Sequence, residues 1–279
     1  MNGTFSEKDS ESAMIKEEAL RAADEALRKL NSCRPLDSIT VERLREEMKL
    51  ESTYDSNAIE GSRLTLSETV MVVKEGVIAG GSHSVQDIMA ARGYAAGWDA
   101  VCRFAQEHLP LTVSMVRDLH RYVLLGALPE FCGVFRDHEV RVLGANFKPA
   151  SPYLIPAKMS DLIGRLDDDA GLHPIERAAV FHAGFETIHP FADGNGRTGR
   201  LLLNFMLLKA GYWPVNIRFA EDRQTYYRAL SAYNLDGNAD QLTALIAERA
   251  AAQLDYCIFI ARQKEFVASL RRANPESDV

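Results

Sequence analysis

Between His189 and Arg200 the chain runs His-Pro-Phe-Ala-Asp-Gly-Asn-Gly-Arg-Thr-Gly-Arg, which puts an imidazole, a carboxylate, an amide and two guanidiniums into one short polar stretch. These residue types suit phosphate chemistry. Gly194 and Gly196 let the backbone turn and bring its N–H groups close to an anion. The apolar run from Leu201 predicts a helix starting about there, with its positive end at the loop. Arg197 and Arg200 stand three apart, neighbours on a first helical turn, where two planar forks can grip phosphate oxygens. Asp193 is the lone carboxylate, and among phosphates it calls for a hard cation such as Mg2+ between them. His189, near neutral at physiological pH, can take the proton of an attacking hydroxyl. Phe191 is the apolar member and is assigned to anchoring the loop in the core.

At every fixed position, His189, Phe191, Asp193, Gly194, Asn195, Gly196, Arg197 and Arg200, the stretch resembles the Fic (Fido) family signature H-x-F-x-[D/E]-G-N-G-R-x-x-R. The resemblance implies an all-α fold, a helical bundle around a central buried helix with one β-hairpin called the flap. It also implies a protein adenylyltransferase that moves AMP from Mg-ATP, with Mn2+ as the alternative metal, to a Ser, Thr or Tyr hydroxyl of a target protein or of itself. In that scheme His189 is the base and Asp193 holds the metal on the α- and β-phosphates. Gly194, Asn195, Gly196 and Arg197 cradle the phosphates, and Arg200 takes the γ-phosphate.

Other elements must position this loop. Ser56 and Glu60 stand at i and i+4, on one face of a short helix over about 53–61 that Gly61 can end. Glu60 then lies near the negative end of that helix, an unfavourable place without a cation opposite. Ser56 to Gly61 resembles the family's inhibitory motif [S/T]-x-x-x-E-[G/N] in its N-terminal branch, which implies that Glu60 pairs with Arg200 and blocks the γ-phosphate position. A solvated surface carboxylate with an ordinary glycine cap is the alternative.

Elsewhere the spacing predicts helices over Glu11–Leu30 and Asp37–Leu50, the second with Ile39, Val41, Leu44 and Met48 as one buried stripe. Thr65 to Glu68 reads as a capping box opening a helix to Gly80-Gly81. Further helices are expected from Ser84 to Pro110, from Thr112 to Gly126 with His120 as a packing residue, and from Pro156 to the acidic Asp167–Asp169 end. Pro174 opens the helix that delivers His189, with His182 below it as packing.

From Pro129 to Pro156 short apolar runs around a Gly-Ala-Asn turn read as a β-hairpin. The resemblance makes its residues Val140, Arg141, Val142, Leu143, Gly144, Ala145, Asn146 and Phe147 the flap that docks an extended target segment by main-chain pairing. Asp222 is expected to cap a helix over Arg223–Asn234. There the resemblance places an adenine pocket, with Tyr226, Tyr227 and Asn234 as the matching residues. Core packing stays open for either tyrosine, because adjacent helical residues cannot both face one ligand. A long helical stretch from Ala239 to Arg272, in one or two pieces, suits packing on the bundle or on another subunit as a homodimer.

Composition narrows the classes. A chain of 279 residues with formal net charge −7 has capacity for a sizeable core and argues against a general nucleic-acid binder, which needs a basic face. The four cysteines have no C-x-x-C pairing, so neither a zinc site nor a disulfide scaffold is expected. The longest apolar run, Leu201 to Leu208, is broken by Asn204 and too short for a bilayer, so membrane association is not expected and a cytoplasmic location is. The expected organisation is an N-terminal helical extension over 1–36, a helical region over 37–110, a core over 111–250, and a C-terminal helix and tail over 251–279. Two further readings keep the loop but change the outcome: removal of AMP from a modified protein through water oriented by Glu60, and a nucleotide-sensing binding module without turnover.

Overall fold

The computed structural model describes residues 7–33, 36–77, 83–124, 131–142 and 147–273. In order, the helices are α1 (Glu7–Ser32), α2 (Ser38–Ile59), α3 (Leu66–Glu75), α4 (Val85–Gln106), α5 (Val113–Leu124), α6 (Ile155–Asp168), α7 (Pro174–Ile188), α8 (Asn195–Lys209), α9 (Phe219–Asp236) and α10 (Asp240–Ala273).

α8 is the central element. It packs against α2, α4, α5 and α7. Leu203 and Leu207 join the core shared with α1, α9 and α10, while Leu201, Leu202 and Phe205 join the core shared with α4, α5 and α6. Side chains buried on both sides explain the nearly all-round apolar pattern of this helix. α1 lies along α10 through a seam of Ala19, Ala23, Ala26 and Leu30, at helical spacing and almost wholly buried. α10 runs unbroken from Asp240 to Ala273, one piece where one or two were expected.

α2 corrects the sequence reading. Asp37 caps it, accepting from the Thr40 N–H at 3.0 Å, and the helix continues to Ile59 instead of stopping at Leu50. The separate short helix expected over 53–61 is therefore its last two turns. Polar side chains keep them helical inside the core: Asp55 accepts from Phe219 N at 2.9 Å and from the Asn216 amide at 2.6 Å. The buried stripe is Thr40, Leu44 and Met48, whereas Ile39 is 74% exposed. Gly61, at φ +98°, turns the chain away from the helix.

The Thr65–Glu68 capping box forms, but α3 ends at Glu75 with Gly76 in the left-handed region; Gly80, Gly81 and Gly126 lie outside the described residues. Asp222 does not cap α9 from outside. It lies within the helix, accepts from the Arg218 N–H at 2.8 Å, and pairs with Arg249 from α10.

No strand forms among the described residues, so the β-hairpin is not seen. Residues 132–142 and 147–151 are turns and coil, and Leu143, Gly144, Ala145 and Asn146 lie outside the described residues. Two features oppose a regular ladder in these legs: Pro149 lacks an N–H, and Arg136 takes the carbonyls of His138 and Ala150. The legs meet instead through side chains, Ser151 Oγ donating to Glu139 at 3.0 Å and Lys148 pairing with it at 3.6 Å. Among the described residues no helix is long and apolar enough to cross a membrane.

Candidate active site

His189 terminates α7 in the left-handed region, at φ 51° and ψ 61°. An L side chain there costs on the order of 1–2 kcal/mol, so the surroundings must hold it. Its N–H still bonds to Phe185 O at 2.9 Å, which makes it the helix cap and turns its imidazole out of the helix. Nδ1 lies 3.3 Å from Glu186 O. A carbonyl can only accept, so Nδ1 carries the proton and Nε2 presents a lone pair. Burial pulls the imidazole's pKa below its ordinary value, with the Glu186 carbonyl and nearby Glu60 and Asp193 opposing and Arg136 assisting, so the ring is neutral at physiological pH.

The loop after it is braced on all sides. Phe191 is fully buried and stacks on His120 at 3.6 Å with the rings 5° from parallel. The Asn195 amide closes the turn, accepting from Phe191 N at 2.9 Å and donating to Phe191 O at 2.8 Å. Its side chain thus braces the loop, and its backbone N–H lies at the helix start. His120 is more than a packing residue. Its Nδ1 accepts from Gly133 N at 2.9 Å, which leaves Nε2 to donate to Asp193 O at 2.8 Å. Burial drives its pKa down to about 4, so this tautomer is locked and neutral.

α8 begins at Asn195, six residues before its apolar run, because Gly194 at φ 76° serves as the N-cap. The loop's last polar residues therefore form the helix's first turns, with N–H groups at the positive end. Asp193, its side chain 56% exposed, accepts from Gly194 N at 2.6 Å and lies 3.4 Å from Arg197.

Arg200, 3% exposed, donates through Nε to Ser56 Oγ at 2.8 Å and through Nη2 to Ser56 O at 2.9 Å and Glu60 Oε1 at 2.8 Å. The ion pair joins the end of α2 to the first turns of α8. A methyl group on Gly196 would lie 2.2 Å from Glu60 Oε1, so a side chain there would make that carboxylate shift.

α9 divides the expected adenine residues. Tyr226 is 1% exposed, its hydroxyl 2.7 Å from His182 Nε2 and its ring 6.0 Å from the Arg200 guanidinium, so it supports Arg200 from below and cannot stack on a ligand. Asn234 accepts from Thr187 Oγ1 at 2.7 Å and donates to Leu230 O at 2.8 Å. Tyr227 is 44% exposed and donates to Ile59 O at 3.4 Å beside Glu60. Of the expected flap, Val140, Arg141, Val142 and Phe147 are described as coil at the ends of the legs.

Two groups escaped the sequence reading. Arg136 gave no signal because a single arginine in a coil has no spacing to betray it. Glu186 sits on the helix that delivers His189, its Oε2 4.0 Å from His189 Nδ1 and its Oε1 buried without a hydrogen-bond partner. Burial pushes its carboxyl pKa up to about 8, Arg200 opposing and Glu60 assisting. From its unperturbed 4.5 up to about 8, the folded protein holds a proton that the unfolded chain has released, so stability falls as pH rises through that window. Glu186→Gln should remove this slope, raising the melting temperature at pH 8.5 relative to wild type more than at pH 5. Parallel curves from thermal melts at both pH values would show that Glu186 is not held neutral.

The sequence matches the Fic/DOC family over residues 110–207. It is 33% identical over 225 residues to protein adenylyltransferase fic-1 of Caenorhabditis elegans, covering 78% of this chain and 42% of that protein. Among solved structures it is similar to a Fic domain containing signaling protein from Bacteroides thetaiotaomicron, with 29% identity, a TM-score of 0.78, and coverage of 87% of this chain and 97% of that one. A solved variant of a C. elegans Fic-1 fragment is 30% identical with a TM-score of 0.75, over 88% of this chain and 72% of that one. The chain spans about half the length of the curated relatives it matches, 42 to 51%.

Proposed function

The chain belongs to the Fic/DOC family, and from that premise we propose that it is a protein adenylyltransferase whose resting form is held back by Glu60. The observation that carries this reading is the pairing of a histidine whose Nδ1 donates to Glu186 O, leaving Nε2 to accept, with a helix N-terminus whose buried arginine is occupied by Glu60.

In the proposed reaction His189 Nε2 removes the proton of a Ser, Thr or Tyr hydroxyl on the target or on the protein itself. The new bond forms between that oxygen and the α-phosphorus of ATP, and the bond from the α-phosphorus to the bridging oxygen of pyrophosphate breaks. The N–H groups at the start of α8 and Arg197 face the phosphates, and Arg200 takes the γ-phosphate once Glu60 has left. Positioning and charge stabilisation carry catalysis of this kind. Tyr227 is the exposed aromatic face for the adenine. The legs around 137–150 would carry the flap that holds the target segment.

The residues present fit Mg2+. Asp193 offers one partly exposed carboxylate, and among the described residues no group of three His, Cys, Asp or Glu side chains could cage a metal alone. Such a site suits an ion that completes its shell with water and nucleotide phosphates. When bound, Mg2+ would neutralise charge on the α- and β-phosphates and on the departing pyrophosphate.

The reading is tested with ATP labelled on the α-phosphate. Protein carrying Glu60→Gly, with Mg2+ and a cell lysate, should yield a labelled protein band, and ATP labelled on the γ-phosphate should yield none. Label from the γ-phosphate would mean phosphate transfer. Loss of label from a pre-modified protein without added ATP would mean removal of AMP.

A further inference from the structure

Arg136 is a buried cation, 4% exposed, none of whose hydrogen bonds among the described residues goes to a carboxylate. Its Nε donates to His189 O at 2.8 Å, Nη1 to His138 O at 2.8 Å, and Nη2 to Ala150 O at 2.5 Å and Ile188 O at 3.4 Å. Its backbone N–H adds a bond to Pro190 O at 3.0 Å. A buried charge needs compensation, and the Ile188 and His189 carbonyls supply it as the negative end of α7.

The partners fall into two groups. Ile188, His189 and Pro190 are the residues through which the chain leaves α7, and His189 itself has the unfavourable left-handed backbone. His138 and Ala150 lie on the two legs that converge from either side of residues 139–149. One planar fork thus ties the peptide of the reacting histidine to both legs at once. Its rigid geometry allows this, whereas a lysine ammonium could reach only part of the set.

We propose that Arg136 is a positioning residue that sets the register between the segment holding the target hydroxyl and the His189 imidazole. This rests on the adenylyltransferase reading. The target oxygen must lie within hydrogen-bond reach of His189 Nε2, and a misplacement of about 1 Å costs roughly 100-fold in rate. The phosphate-facing groups of 194–200 are not among Arg136's partners, so nucleotide binding should not depend on it.

The test uses the full chain carrying Glu60→Gly as parent, with Arg136→Gln and Arg136→Lys added separately. Self-labelling from ATP labelled on the α-phosphate should fall roughly 100-fold with Arg136→Gln and at least about tenfold with Arg136→Lys, while the Mg-ATP Kd by calorimetry stays within about twofold. A second readout needs no turnover. Nitrogen-15 NMR of the His189 ring should show the Nδ1–H tautomer in the parent and a mixture of tautomers in Arg136→Gln, because the ring is no longer held against Glu186 O. Labelling at the parent rate would overturn the proposal. So would ATP affinity falling in step with transfer, which marks a residue that merely holds the fold. If Arg136→Gln melts too low to assay, Arg136→Lys decides. If the parent itself transfers no label, the adenylyltransferase reading fails, and an unchanged His189 ring signal would then overturn the role of Arg136 independently.

Discussion

Glu60→Gly should transfer label from ATP to the protein itself at least about tenfold faster than wild type. The reason is competition for one cation. Arg200 is almost fully buried, and its Nη2 donates to Glu60 at 2.8 Å. A hydrogen bond of this charged kind is worth about 1.5–3 kcal/mol, and each 1.4 kcal/mol shifts a two-state balance tenfold. A nucleotide phosphate reaching Arg200 must first break that bond, and must also enter the space over Gly196 that the carboxylate occupies. Glycine at position 60 removes both obstacles and leaves a buried guanidinium short of an anion, which raises its affinity for phosphate. Calorimetry with Mg-ATP and a time course of self-labelling check the two halves of the claim. Equal labelling by wild type and Glu60→Gly would remove autoinhibition from the account. Ser56→Ala should have a smaller effect in the same direction, because Arg200 keeps the Ser56 carbonyl at 2.9 Å and Glu60.

His189→Ala should abolish labelling in either background, a loss of 100-fold to 10,000-fold or more, the range typical for removal of a general base. The Mg-ATP Kd should change little, since the phosphate-facing groups begin at Gly194. This separation is the diagnostic feature. Arg200→Ala should weaken ATP binding, whereas His189→Ala should leave it intact and stop transfer. A His189→Ala protein that labels at the parent rate would place the base elsewhere, and Glu186, neutral and 4.0 Å from the same ring, would be the group to examine.

Much of the site was legible in the chain because it is local. His189 to Arg200 are consecutive residues joining two helices, so their types and spacing state their proximity directly, and Pro174 and the apolar run from Leu201 announce the helices on either side. Phe191 as an anchor follows from one apolar residue in a polar loop, and it is fully buried. The roles of residues on α9 were less accessible. Tyr226 and Tyr227 are neighbours of the same type, and only the direction of α9 against α7 and α8 decides that the first supports Arg200 while the second faces outward. Asn195 shows the same limit at shorter range: that its amide braces the loop through Phe191 is decided by the turn geometry.

The sequence by itself determined the polar loop from His189 to Arg200, the helical class and the helix that carries the loop, since each is written in residue type and in periodicities within a turn or two. Tertiary structure alone decided how α2 continues through the core to set Glu60 against Arg200, how His120 and Arg136 hold the loop from 73 and 53 positions away, and that the legs around 137–150 are coil among the described residues. Those contacts depend on packing between helices distant in the chain, and nothing in the spacing of residues along one segment encodes the direction from which another segment arrives.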